Sequence, residues 1–256
     1  MKNKMKQKLQ SGQAVAGTCL YLNNPDTLKA IADVGFDFLL IDTQHSGIGP
    51  DTLSTMLSAI SHTESEIIVR VIWNNNYLIN QALDWGADGI VVPLINTAAD
   101  AERAIQGAKY PPQGARSWGP NPRGRYSDGL EYWKLANKDT MVLPQIETAE
   151  SMENIDSILQ VDGIDGIMVG PTDLSLTAGL PQNATDEQKN PLIQRVLDKC
   201  KEHKVPWGMF TGSLEVTDYW LSRGGQIGTV GADAGHYAAG LQSAYDDIDS
   251  MLKKVN

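Results

Sequence analysis

The chain has only two cysteines in 256 residues, Cys19 and Cys200, far apart and outside any CxxC or Cys/His spacing. That excludes a disulfide scaffold and a thiolate zinc site, and it fits a reducing cytosol. Positive charge is also scarce: 21 Lys+Arg stand against 31 Asp+Glu, a formal net charge of −10. Without a basic excess, electrostatically driven binding to nucleic acid or to an anionic membrane is excluded. Long apolar runs are missing too, since FDFLLI and GIVVPLI are strand-sized and fall far short of the ~20 residues a spanning helix needs. The opening MKNKMKQKLQSGQ alternates Lys with polar residues and holds no apolar stretch suited to secretion, so it reads as a first helix. A P-loop, a GxSxG elbow and an HExxH helix are all lacking. The expectation is a soluble cytoplasmic protein with neither nucleic acid nor membrane as partner.

What is present is enough apolar residue, 41%, to bury a substantial core. Eight segments read as strands: 14–22, 37–42, 66–72, 88–94, 140–147, 165–171, 205–211 and 226–232. Most are nearly continuous in apolar and β-branched residues, as parallel strands covered on both faces are. Between them run segments of helical period, opening near Asp26, Asp51 and Thr97, residue types that cap helices. The fold class is therefore α/β, a single (β/α)8 TIM barrel spanning residues 1–256 as one domain. A doubly wound sheet would normally carry a glycine fingerprint after its first strand, and TCLYLNNPD has none. The phrases VGFDFLL, WGADGIV and VDGIDGIMV share a Gly-x-Asp-apolar entry into a strand, a sign of a repeated unit. One connection is abnormal: an extended loop between strands four and five, residues 111–133, rich in Gly, Pro, Arg and aromatics. Its two readings are an active-site cover and a surface excursion.

In a barrel of this kind, polar residues that end apolar strands are the candidates for chemistry. Strand two ends in IDTQHS with Asp42 and His45, strand three carries Arg70, strand five runs into Glu147, and strand six exits at Asp173. Two carboxylates from adjacent strands make half of a hard-cation site, with water and substrate oxygens completing it. Asp173 also has the plainer reading of a helix cap. Asp42 is placed to orient the His45 imidazole. His62, His203 and His236 read as solvated. A guanidinium in the Ile/Val strand around Arg70 needs an anionic partner, either a structural carboxylate or a bound oxyanion. None of the fourteen lysines falls in a strand, so Schiff-base chemistry has no nucleophile. The late stretch RGGQIGTVGADAG reads either as a phosphate cradle or as turn and packing glycines.

DFLLIDTQHS, Arg70, PLINTAADAERAIQGAKYPPQGARS and PQIETAESMENIDSILQVDGIDGIMVGPTDLSLTAGL together resemble the HpcH/HpaI aldolases, from about residue 12 to about residue 235. The specific part is the IE…VGPTDLS block, in which 26 positions separate Glu147 from Asp173. The resemblance implies a class II aldehyde-lyase that cleaves a 4-hydroxy-2-oxo acid, of the 2-keto-3-deoxy sugar acid or dihydroxyheptenedioate type, into pyruvate and an aldehyde. It implies a divalent cation, magnesium or manganese with cobalt admissible, on Glu147 and Asp173, and catalytic roles for His45, Arg70, Asp42 and Asp84. Pyruvate contacts fall on Arg70, Gln145, Gly170 and Thr172, and a homohexamer of dimers exchanging the last helix is implied as well. The chain departs from the family at Gln44, where many members carry an acid, and in the SWGPNPRGRYSDG extension. Arg116, Arg123 and Arg125 in that loop either receive the tail of the aldehyde or pair with acids of this acidic chain. Two other functions stay open: a citrate/malyl-CoA-type lyase, and a pyruvate- or oxalate-binding barrel without activity.

Overall fold

In the computed structural model, which describes residues 2–119 and 124–255, the eight anticipated strands form as β1 (Val15–Leu20), β2 (Phe38–Asp42), β3 (Glu66–Arg70), β4 (Gly89–Val92), β5 (Met141–Ile146), β6 (Ile167–Val169), β7 (Trp207–Met209) and β8 (Ile227–Ala232). Each pairs in parallel with the next, and β8 closes on β1. Every strand lies within its anticipated segment. Polar or turn-forming exits such as Glu147 and Gly170-Pro171 leave the ladder and become the rim. The helices are α1 (Lys4–Gln10), α2 (Pro25–Ala32), α3 (Pro50–Ala59), α4 (Asn76–Asp84), α5 (Ala98–Ala108), α6 (Gly129–Asp139), α7 (Ala149–Glu153), α8 (Ile155–Leu159), α9 (Pro171–Thr177), α10 (Asp186–His203), α11 (Leu214–Leu221) and α12 (Asp233–Val255). No helix among the described residues is long and apolar enough to cross a membrane.

The period of two along each strand divides the apolar residues into two cores. Leu39, Ile41, Ile67, Val69, Val142 and Val169 face the helices. Phe38, Leu40, Ile68, Val91, Leu143 and Met168 fill the barrel interior. Close packing there sets the residue types: a Cβ on Gly17 would stand 2.5 Å from the Phe38 ring, so only glycine admits that aromatic. Truncating Leu143 or Met168 to Ala is worth about 2–5 kcal/mol of stability.

The amino-terminal mouth is closed by α1, whose Met5 and Leu9 join the interior core. The repeated Gly-x-Asp phrase finds its physical reason here. Asp37, Asp88 and Asp165 lead into β2, β4 and β6, and each accepts the N–H of a residue at the start of the preceding strand: Ala16 at 2.9 Å, Ile67 at 2.8 Å and Val142 at 2.9 Å. Cations then cover these carboxylates, Lys8 on Asp37, Lys6 on Asp165 at 2.7 Å and Arg125 on Asp88 at 3.2 Å. The lysine pattern of the first segment thus answers the aspartate pattern of the repeats.

The long connection does not cover the rim of its own barrel. Helix α5 comes first after β4 and carries the chain to the opposite end, so the irregular segment is an αβ connection at the amino-terminal side. Its aromatics pack on one another: Tyr110 meets Trp118 and Trp133, each with ring centroids 5.4 Å apart, and Tyr132 packs on Tyr126 at 5.0 Å. Of the glycines around β8, Gly224 and Gly231 take positive φ, while Gly225 packs on Trp220 and Gly228 on Thr217 and Leu221; Asp233 takes the N–H groups of Tyr21 and Leu22 and opens α12.

Candidate active site

The register of β2 on β3 sets Asp42 beside Arg70 at the carboxyl end of the barrel. Arg70 Nε donates to Asp42 Oδ1 at 2.8 Å and Nη2 donates to Oδ2 at 2.5 Å, with Asp42 fully buried and Arg70 5% exposed. The partner demanded by a guanidinium in an apolar strand is therefore a structural carboxylate. Burial works against the Arg70 charge, but the hydrogen bond and charge of Asp42 more than offset it and the guanidinium is held above its ordinary range. The face of Phe210, the residue after β7, lies 4.6 Å from the guanidinium carbon. The Nη1 nitrogen takes no part in the Asp42 fork.

Glu147 follows β5 and is buried. Its Oε1 accepts the Leu94 N–H at 2.7 Å, and its Oε2 accepts from the Gln145 side-chain amide. Leu94 reaches this position with φ of +54°, a left-handed conformation uncommon for a non-glycine residue and found mostly where a site requires it. Burial pushes the Glu147 carboxyl above its ordinary range; the Leu94 and Gln145 bonds and Arg70 oppose this, while the negative charge of Asp173 adds to it. Asp173 stands exposed in the first turn of α9.

Two observations test the fit of a divalent cation. Gln145 Oε1 is buried with no hydrogen-bond partner, and Gly170 leaves open a cradle that a Cβ would fill, 2.8 Å from Glu147 Oε2 and 2.9 Å from Gln145 Nε2. Two acids of like charge beside an orphaned amide oxygen fit a hard cation. No group of three or more His, Cys, Asp or Glu among the described residues is placed to hold a metal. Water and substrate oxygens must supply the remaining ligands.

Asp42, Arg70, Gln145, Glu147, Gly170, Thr172 and Asp173 thus come to one rim. His45 is there too but exposed. The hydrogen bonds that Asp42 makes go to Arg70 and to the Gln44 N–H at 2.9 Å rather than to His45. Gln44 Oε1 is buried without a partner. Three anticipated residues lie elsewhere in the chain. Asp84 ends α4 at the amino-terminal side and binds Arg116 at 2.7 Å. Arg116 is buried against the Tyr110 ring at 4.5 Å. Arg125 binds Glu66 and Asp88 beneath the barrel. Neither arginine is presented to its own rim, and the acids that hold them supply the reason. Arg123 lies outside the described residues. Both cysteines are buried and free, with thiols pushed up to about 12 chiefly by burial, so neither is a thiolate nucleophile.

Sequence reasoning missed Leu94, Phe210, Tyr21 and Asp233. Tyr21 and Asp233 are polar residues just past β1 and β8, so the rule that found Glu147 would have found them, whereas the apolar Phe210 falls outside it.

Fold and rim together define a (β/α)8 barrel enzyme with two acids and a buried arginine at the carboxyl ends of its strands. The sequence model of the HpcH/HpaI aldolase/citrate lyase family matches residues 16–239. A 4-hydroxy-2-oxo-heptane-1,7-dioate aldolase of Salmonella typhimurium is 35% identical over 245 residues, 95% of this chain and 93% of that protein. Among solved structures, a family protein from Burkholderia cenocepacia superposes with a TM-score of 0.88 at 28% identity, covering 96% of this chain and 99% of that one. The citrate synthase SbnG gives 0.83 at 31% identity, with coverage of 96% and 99%. The chain belongs to the HpcH/HpaI aldolase/citrate lyase family, and is an enzyme of the aldehyde-lyase class.

Proposed function

We propose that this enzyme reversibly cleaves a 4-hydroxy-2-oxo acid into pyruvate and an aldehyde, with a magnesium, manganese or cobalt ion held by Glu147 and Asp173. The observation that carries this reading is a buried Glu147, held by the Leu94 N–H and the Gln145 amide, on the same rim as the Arg70–Asp42 fork. When bound, the cation supplies Lewis-acid polarisation of the 2-oxo group. Arg70, with Nη1 left over from the Asp42 fork, adds fixed positive charge where the enolate oxygen develops. One well-aimed donor of this kind is worth about 2.7–4 kcal/mol. Gln145 and the backbone of Gly170 and Thr172 hold the oxo acid. His45 takes the proton of the 4-hydroxyl, the bond between carbons 3 and 4 breaks, and the aldehyde leaves while carbon 3 of pyruvate is reprotonated.

Asp84 sits at the far end of its own barrel, so it can serve His45 only as Asp84 of the partner subunit. We place the active form in the cytoplasm as a homohexamer of dimers that exchange α12, whose apolar stripe is exposed in the single chain. The 31% identical citrate synthase favours a second reading, in which the same rim joins an enolate to an oxo acid in the synthetic direction.

Exchange of pyruvate methyl protons in deuterated water, run with magnesium, manganese and cobalt, tests the reading without knowledge of the aldehyde. Metal-dependent exchange is expected. Exchange at the full rate in chelator removes the class II mechanism, and metal-dependent pyruvate binding without exchange makes the chain a binder.

A further inference from the structure

We infer that Tyr21 is a positioning residue for Arg70, acting through Asp42; this rests on the proposed role of Arg70 at the reacting oxygen. A carboxylate offers about four acceptor positions. On Asp42, Oδ1 takes Arg70 Nε at 2.8 Å and the Gln44 N–H at 2.9 Å, while Oδ2 takes Arg70 Nη2 at 2.5 Å. One position is left, and Tyr21, the residue after β1, lies close enough to this carboxylate for its hydroxyl to turn to it. The β1–β2 register, which pairs Leu20 with Ile41, brings the next residues, Tyr21 and Asp42, side by side.

Tyr21 is itself fixed at both ends. Its backbone N–H donates to Asp233 Oδ1 at 3.0 Å, tying the exit of β1 to the start of α12. Its ring packs on the interior core alongside Phe210, the residue that lies on the Arg70 guanidinium. A phenol that donates to Asp42 fills the last acceptor position and keeps both oxygens turned to the fork. Without it, the carboxylate keeps its other three bonds but loses the restraint on Oδ2, the oxygen that takes Arg70 Nη2. The hydroxyl therefore sharpens the direction in which Asp42 holds the guanidinium. Burial pushes the phenol up to about 12, so it remains a donor across the working range of pH. The chemistry requires no proton transfer by Tyr21; its contribution is to the direction in which Arg70 points.

The test is Tyr21→Phe, which keeps the ring and removes only the hydroxyl. Pyruvate methyl exchange is expected to fall roughly tenfold in kcat with less than about a twofold change in pyruvate KM, because a misdirected donor weakens the developing charge more than the ground state. In an Asp42→Asn background the same change is expected to cost nothing further, since the partner through which it acts is gone. Thermal unfolding should move by less than about 4 °C, roughly 1 kcal/mol for a chain of this size. An unchanged kcat, or a loss that is as large in the Asp42→Asn background, overturns the inference. If the wild-type protein shows no exchange, the functional reading fails on its own, and calorimetric binding of oxalate with manganese becomes the readout: equal affinity for wild type and Tyr21→Phe overturns the role of Tyr21, and at least roughly tenfold weaker binding upholds it.

Discussion

Arg70 and Asp42 form a two-pronged ion pair inside the barrel, while His45, three residues beyond Asp42, stands exposed at the rim. Buried pairs of this kind are weak evidence for stability, but removing one partner leaves an uncompensated charge at a cost of about 3–5 kcal/mol. Asp42→Ala is therefore expected to lower the melting temperature by about 10 °C in a chain of this length. The companion Arg70→Met in the same background should recover part of that loss by removing the stranded guanidinium. Calorimetric melting of the two variants checks both statements, and a shift below about 2 °C for Asp42→Ala contradicts a buried pair.

His45 has no share in the fork and no burial to lose, so its removal is a test of chemistry alone. His45→Ala should lower kcat for carbon–carbon cleavage by at least about tenfold, the scale of a general base, with manganese affinity unchanged. Steady-state turnover beside a calorimetric metal titration separates the two effects. Turnover equal to wild type takes the histidine out of the mechanism.

The cradle at Gly170 makes a prediction about metal that does not depend on catalysis. A Cβ there would lie 2.7 Å from Glu147 Cβ and 2.8 Å from its Oε2, closer than real atoms pack. Gly170→Ala should displace the Glu147 carboxylate and weaken manganese binding by at least roughly tenfold, as Glu147→Gln should by removing the charge. Circular dichroism is expected to stay unchanged for both. Manganese titration giving wild-type affinity for Glu147→Gln would remove it from the ligand set.

The eight strands were legible because burial on two faces imposes apolar runs whatever the function, and DFLLID or EIIVRVI can be little else. That Glu147 and Asp173 stand at the rim was legible because a charge following such a run breaks the pattern. Of the two readings given for Arg116 and Arg125, the structure shows pairing with acids away from the rim of their own barrel. The helical segment opening near Thr97 already lay before the irregular part, and as α5 it sends the loop to the other end of the barrel, a consequence that reading the loop as a cover of its own rim left out. Leu94 was out of reach for a different reason, since its contribution is a backbone N–H and a φ of +54°, neither of which a leucine advertises. The Gly-x-Asp repeat was visible while its purpose was not, because the lysines of α1 that answer it lie far away in sequence.

Glu66, at the start of β3 beneath the barrel, ties pH to stability. Burial, reinforced by the charge of Asp88, raises its carboxyl from 4.5 to about 7, with Arg125 and the Lys4 N–H opposing. A raised folded-state value means that its stabilising contribution is complete below the unfolded value and is lost as pH rises through the folded one. Glu66→Gln keeps an acceptor for the Lys4 N–H and leaves Arg125 its contact with Asp88. The melting temperature of this variant minus that of wild type should therefore climb between about pH 4.5 and pH 7 and level off above. A difference that is flat or falling across that window contradicts a buried, raised carboxyl.

The last helix carries its own prediction about assembly. Tyr237, Leu241, Tyr245, Ile248, Leu252 and Val255 are each at least half exposed and recur at intervals of three and four along α12, a continuous exposed apolar stripe. Beside the start of the helix lies an apolar groove of about 460 Å³ lined by Leu22, Ala30, Ile31, Val34 and Phe36. Each large side chain taken from water is worth about 1.5–3 kcal/mol, so a stripe of six is far more than a soluble monomer leaves uncovered. The proposed exchange of α12 between two copies would cover this stripe. Leu241→Asp combined with Ile248→Asp places two charges in the middle of that contact. Light scattering behind size exclusion should then report a smaller species than the wild-type assembly, with activity lost in step, the outcome that the proposed service of His45 by a neighbouring copy requires. A double variant that keeps both the wild-type mass and its turnover places α12 outside the interface.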